Sequence, residues 1–189
     1  QRSEGYFNKN QEGIKCINKY GLSVGCIATF TKKSSLHLEN IFNFFMNSGY
    51  HFDIHSAINT NYKKNDNELY MTPNEFGKFL IQILNLYRKH IDKLQINTLD
   101  ILAKNLATQK SGLCTFTKCL GNYHAISPSG DIYTCNRFVG NREYCVGNID
   151  TTNNLDDLKK SQAWQKLEEW QNWITEICSD CLHFKYCYG

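Results

Sequence analysis

Between residues 8 and 20, "NKNQEGIKCINKY", apolar side chains recur at Ile14, Ile17 and Tyr20. A step of three residues puts them on one helical face, and Gly21 follows as a stop. The next run, "LSVGCIATF" at 22–30, is mostly apolar and partly β-branched. A run without polar alternation predicts a buried parallel strand. Helical spacing returns at Leu38, Ile41, Phe42, Phe45 and Met46, predicting a helix over 36–47 with Ser34 or Ser35 as its cap and Gly49 at its end. "YHFDIHSAI", 50–58, reads as a second strand, and the polar stretch 59–69 as a loop. Thr72, Pro73 and Glu75 then supply an N-cap, an N1 proline and a capping-box acid. The helix they open has Phe76, Phe79, Leu80, Ile83, Leu84 and Tyr87 on its apolar face. "LQINTLDILAKNLATQ" adds a further short strand and helix to about residue 109.

Helix, strand, helix, strand with short connections is the grammar of an α/β fold built on a parallel sheet. Two full strands cannot close such a layer or cover its edges. Residues 1–58 therefore read as the later part of a larger α/β barrel or wound sheet. Residues 59–110 read as a helical bridge. Composition shifts near "KSGLC", and the boundary is placed near 110, because seven of the nine cysteines follow it. "HAISPSGDIYTC" predicts a β-hairpin turning at Ser127, Pro128, Ser129 and Gly130. "NLDDLKKSQAWQKLEEWQNW" predicts one helix, with Leu158, Trp164, Leu167 and Trp170 available for burial.

Composition narrows the possibilities further. The 189 residues are 41% hydrophobic and 13% aromatic, which excludes a disordered tail. A net charge of +3 from scattered lysines gives no basis for nucleic-acid binding. No apolar run reaches the length of a membrane span. The chain opens "QRSEGYFNKN", with no initiator Met and no signal-peptide core. An odd number of cysteines without a targeting signal favours a reduced, cytoplasmic compartment and metal ligation over a disulfide framework.

The cysteines follow a pattern: Cys114-x4-Cys119, then Cys119-x10-Gly130-x4-Cys135, then Cys178-x2-Cys181-x5-Cys187. A Cys-x2-Cys pair lets two thiolates from one tight turn reach one metal centre. A hairpin turn at Gly130 brings Cys119 and Cys135 together. Sulfur chemistry leaves a zinc ribbon and an iron–sulfur cluster equally open.

The spacing C-x10-G-x4-C with C-x2-C-x5-C resembles the seven-cysteine SPASM domain that follows the barrel in many radical SAM peptide- and protein-modifying enzymes. The resemblance implies a partial (β/α) barrel followed by a small α+β SPASM domain over 111–189. It implies that Cys114, Cys119 and Cys135 ligate a first auxiliary [4Fe–4S] cluster, and Cys178, Cys181 and Cys187 a second. In the family a fourth cysteine follows the one matching Cys187 after three intervening residues, so the chain reads as a fragment. The Cys-x3-Cys-x2-Cys motif that binds the S-adenosylmethionine-cleaving cluster is absent from residues 1–189, so these residues are expected to be inactive alone and to fold poorly. Thr29 matches a position near the S-adenosylmethionine site. The implied substrate is a precursor peptide or protein, and the implied reaction joins a peptide cysteine sulfur to carbon.

Sulfatase-maturing members carry Asp directly after the cysteine matching Cys135, as proton acceptor in formylglycine formation. Here Asn136 stands in that place, and an amide accepts no proton near neutral pH. "CNRFVGNREYCVGNI", 135–149, resembles instead the "FVG" stretch of thioether-forming peptide maturases. A purely structural turn containing Gly140 and Gly147 is the alternative. Cys16 and Cys26 read as small buried hydrophobes, and Cys145 as a thiol outside the ligand pattern. His124 and His183 lie near ligand cysteines in sequence, where hydrogen bonding around a cluster or plain exposure is expected. Trp164, Trp170, Trp173, Phe184, Tyr186 and Tyr188 are expected to pack as a shield, and Arg137 could grip a peptide carboxylate. The alternative class is a zinc-ribbon binding module without catalysis.

Overall fold

A computed structural model describes residues 5–58 and 69–188 of the chain. They divide into two compact units, Gln1–Asp100 and Ile101–Gly189. The first opens with helix α1, Gly5–Lys19, and Gly21 ends its approach to the sheet with a left-handed φ of 72°. No residue of α1 is buried; Tyr20 is 75% exposed and Ile17 40%.

Strands β1 (Cys26–Phe30) and β2 (Phe52–Ser56) pair in parallel, from Cys26 opposite Phe52 to Phe30 opposite Ser56. The expected third strand shrinks to one parallel bridge between Phe52 and Ile96, with Phe52 N–H donating to Gln95 O at 3.2 Å. β1 departs from expectation. It is not buried on both faces: Phe30 is buried, while Ile27 is 66% exposed. The described core lies on Phe30's side. There Phe30 packs on Phe79, with ring centroids 4.6 Å apart, and Phe45 stacks on Phe52 at 4.1 Å.

Helix α2 (Lys32–Ser35) and helix α3 (Leu38–Ser48) replace the single helix expected over 36–47. The cap also differs. Thr31, not Ser34 or Ser35, caps α2, and Ser34 closes its capping box; α3 starts after His37 with no side-chain cap. Gly49 ends α3 in the left-handed region, as expected. The expected loop at 59–69 falls almost wholly outside the described residues.

Helix α4 (Pro73–Tyr87) forms where its capping box sits: Thr72 Oγ1 accepts from Glu75 N, and Glu75 Oε2 accepts from Thr72 N at 2.8 Å. Phe79, Ile83 and Tyr87 are buried, whereas Leu84 is half exposed. Tyr87 donates its hydroxyl to Asp100 at 2.7 Å, and burial followed by this carboxylate pushes the phenol up to about 12. Helix α5 is Asn97–Thr108.

In the second unit, β3 (Ala125–Ile126), β4 (Asp131–Tyr133) and β5 (Cys145–Asn148) form an antiparallel sheet in that order. The expected hairpin is β3–β4, with Gly130 at φ 81° and its N–H donating to Ser127 O. β5 was not expected, and Gly147 lies in it rather than in a turn. A Cβ at Gly147 would stand 2.6 Å from Leu158 Cδ2 and 2.8 Å from Thr152 Oγ1, so close approach requires glycine there.

The acidic helix expected from 154 is split. Residues Leu155–Lys160 form a 3-10 turn, and Ser161 then caps helix α6 (Gln162–Ile177) by accepting from Trp164 N. Ile132, Val146, Leu158, Ala163 and Trp164 make the core of this unit. Helix α7, Phe184–Cys187, closes the described chain. No helix among the described residues is long and apolar enough to cross a membrane.

Candidate metal centre

Three backbone devices bring the first cysteines together. Cys114 opens a 3-10 turn, Cys114–Phe116, which Phe116 N closes onto Leu113 O at 2.9 Å and Ser111 Oγ secures by donating to Phe116 O. Cys119 starts the next turn, where Asn122 N donates to its carbonyl at 3.0 Å. Gly121 in that turn has φ 86°, and a Cβ on it would stand 3.0 Å from Trp164 Cη2. The turn therefore rests on the ring of Trp164. Cys135 follows β4 in extended backbone and heads a further 3-10 turn, Asn136–Phe138.

The electrostatics of Cys119 report the result. Burial first, then the neighbouring thiols of Cys114 and Cys135, push its thiol above the ordinary value, and Cys114 also hydrogen-bonds to it. Cys114 and Cys135 thus both lie near enough to Cys119 to act on its thiol. All nine cysteines are free, so no pair is spent in a disulfide.

The second set lies where α6 ends. Cys178 is its C-cap residue, and its N–H donates to Ile174 O. Cys181 N donates to Cys178 O, and Phe184 N to Cys181 O, both at 3.0 Å. These bonds fold the Cys-x2-Cys segment into one tight knuckle that leads directly into α7, which carries Cys187. α7 packs against the 3-10 turn of Cys114, and Lys185 Nζ donates to Gln109 Oε1 at 3.2 Å. Among the described residues, no three His, Cys, Asp or Glu side chains stand close enough together to hold a metal ion.

Residues 114–182 match the family described as SPASM, an iron–sulfur cluster-binding domain. Over most of its length the chain is similar to anaerobic sulfatase-maturating enzymes. It is 24% identical over 202 residues to the serine-type anaerobic sulfatase-maturating enzyme of Bacteroides thetaiotaomicron, covering 97% of this chain and 48% of that protein. It superposes on native anSMEcpe with bound AdoMet and Cp18Cys peptide at TM-score 0.81 and 17% identity, covering 97% of this chain and 52% of that one. It superposes on Streptococcus suis SuiB bound to S-adenosylmethionine at TM-score 0.61 and 14% identity, covering 96% and 44%. The fold is thus the α/β fold of radical SAM/SPASM enzymes. The chain spans about half the length, or less, of the relatives it matches.

The other expected residues of the SPASM unit divide. Asn136 Oδ1 accepts a weak hydrogen bond from Cys135 Sγ at 3.5 Å. Arg137 is exposed in the turn that Cys135 heads, and His183 is exposed before α7. Cys145 stays outside the thiol set; its Sγ donates to Gly147 O within β5. His124 stacks on Trp164 at 6.3 Å, with Nε2 buried and unpartnered. The aromatic shield is only partial. Trp164 is buried, but Trp170 and Trp173 are 58% and 54% exposed, because they lie beyond the part of α6 that covers the sheet. Phe184 and Tyr188 contact each other, with centroids 5.5 Å apart.

In the first unit, Thr29 sits on β1 opposite His55. Cys16 is exposed rather than buried, because α1 has no partner for that face among the described residues, and Cys26 is half-buried with its thiol pushed up by burial. One feature beside the candidate cysteines was missed from sequence: Gly121 as the seat of the Cys119 turn. A glycine two residues after a candidate cysteine was the available signal for it.

Proposed function

We propose that this chain is the auxiliary-cluster part of a radical SAM/SPASM maturase that modifies a ribosomally made peptide. Cys114, Cys119 and Cys135 would hold a first auxiliary [4Fe–4S] cluster, and Cys178, Cys181 and Cys187 a second. The observation that carries this reading is the SPASM match over 114–182, within which Cys114 and Cys135 both act on the thiol of Cys119. The donor set fits, since thiolates are the ligands such clusters take. When bound, the clusters supply an electron acceptor or an open iron site for a substrate sulfur. The chain's own residues do the rest: the hairpin and the knuckle fix the sulfurs, and Arg137 stands exposed beside Cys135 to grip a peptide carboxylate. Thr29 on β1 is proposed to lie beside S-adenosylmethionine, the cofactor bound in the superposed structures. The domain reading follows: 1–58 late barrel, 59–110 bridge, 111–189 cluster domain.

The bond formed is proposed to be a thioether at a peptide cysteine. Asn136 supports this over formylglycine, because its carboxamide cannot take the proton that oxidation of a Ser or Cys side chain releases. The sulfatase-maturating names among the relatives favour the second reading, oxidation of a sulfatase side chain.

Metal analysis after anaerobic expression and reconstitution tests the proposal. Iron with labile sulfide and a brown chromophore is expected. Cys119→Ser and Cys181→Ser should each remove at least one cluster's worth of iron. One colourless zinc per four cysteines, without sulfide, would overturn the enzyme reading in favour of a zinc ribbon.

A further inference from the structure

The outer side of α6 carries an apolar row that stays open to solvent. Trp170, Trp173 and Ile177 follow one another at steps of three and four, which places them on one side of the helix. Each is more than half exposed, at 58%, 54% and 58%. The core side of α6 is a different one, marked by the buried Ala163, Trp164 and Leu167. Contiguous exposed apolar side chains, rimmed by polar ones, mark sites of association.

Charge rims this row on one side. Glu169 lies one turn before Trp173 and Glu176 one turn after it. Both are exposed, and neither makes an ion pair among the described residues. The lysine of α6, Lys166, is engaged elsewhere: it pairs with Glu143 and lies 5.4 Å from the centre of the Tyr144 ring. Tryptophan faces beside carboxylates without a cation favour a cationic partner, because both the carboxylate and the ring attract ammonium and guanidinium groups. The chain as a whole carries +3, so this attraction belongs to the local rim and not to the overall charge. The row from Trp170 to Ile177 runs about 10 Å along the helix axis, the reach of about three residues of extended chain.

We propose that this face docks a basic, apolar segment of the peptide substrate, with Trp170, Trp173 and Ile177 taking its apolar side chains and Glu169 and Glu176 its Lys or Arg. That the segment belongs to the substrate rests on the maturase reading above. The face lies wholly within the second unit, on the helix that Cys178 caps. A peptide held there is tethered to the element that leads into the Cys178–Cys181 knuckle. The rim charges select the partner, and the rings hold it.

The test uses the full-length protein and a fluorescein-labelled peptide, Lys-Leu-Leu-Lys-Leu-Leu-Lys, with its Glu-for-Lys counterpart as control. Fluorescence anisotropy should show the lysine peptide bound and the glutamate peptide unbound, with affinity falling as salt rises. Glu169→Gln combined with Glu176→Gln should weaken binding about fivefold and flatten the salt dependence. Trp173→Ala should weaken it by more than about fivefold. Melting temperatures should stay at the wild-type value, because the replaced side chains are exposed. Equal binding of both peptides, or unchanged affinity in the variants, overturns the proposal. If another part of the full-length chain covers the row, Trp173→Ala lowers the melting temperature and leaves affinity unchanged. If a second copy covers it, the same variant turns a dimer into a monomer at unchanged affinity. Either result also overturns the proposal. Iron and sulfide content of the same samples tests the underlying reading separately: a protein that binds the lysine peptide but takes up neither sinks the maturase reading and leaves the docking face standing.

Discussion

In the proposed reading, Cys119 ties metal binding to pH. Its thiol is held above the ordinary value by burial and then by Cys114 and Cys135. In the unloaded protein the fold therefore favours the neutral thiol. That contribution is complete below the unfolded value, about 8.5, and is lost as pH rises through the higher folded value. Loading works the other way: ligation needs thiolates, releases protons and strengthens as pH rises. Raising pH from about 7 to about 9.5 should thus lower the melting temperature of the unloaded protein while improving iron uptake. Melts with and without iron across this range check it; an unloaded protein that gains stability with pH contradicts the assignment. The SPASM resemblance was legible in the spacing of the thiols, and the family match over 114–182 bears it out. The exposure of Cys16, Trp170 and Trp173 was not, because burial depends on what lies opposite and no local pattern encodes that.

Among the elements, those whose ends are written in side-chain chemistry formed where expected. α4 starts at the reciprocal Thr72–Glu75 bonds, and Lys32 adds an ion pair to Glu75 at 2.7 Å. The Lys32 hydrogen bond, then the Thr72 N–H and hydroxyl, hold the Glu75 carboxyl at about 2. Replacing Thr72 by Ala should cost the first unit about 1 kcal/mol, read as a lower denaturation midpoint at unchanged m-value. No change would mean that packing of Phe79, Ile83 and Tyr87 alone sets the start of the helix. The hairpin at Gly130 was equally local. β5 was hidden for the opposite reason: Gly147 weakens a strand pattern, and its need for Leu158 and Thr152 at contact is visible only in three dimensions. The break before α6 was hidden too, because an acidic, lysine-rich stretch with Leu155 and Leu158 has helical spacing whether or not Ser161 restarts the helix.

For the molecule as a whole, parallel pairing was legible from alternating helices and strands, but the exposure of β1's second face was not. Apolar composition says that a face can be buried, not that a partner stands there. The cysteine pattern carried farther than any hydrophobic pattern, because it alone pointed to the SPASM family that residues 114–182 match. One contact within the second unit joins the two thiol sets: α7, which bears Cys187, lies on the turn that bears Cys114, and Lys185 fastens it to Gln109. The sets therefore share a mechanical linkage, and if both hold clusters as proposed, displacing metal from one would slacken the clamp on the other. Titration with a chelator should release iron from both in a single concerted phase, and Lys185→Ala should separate that phase into two.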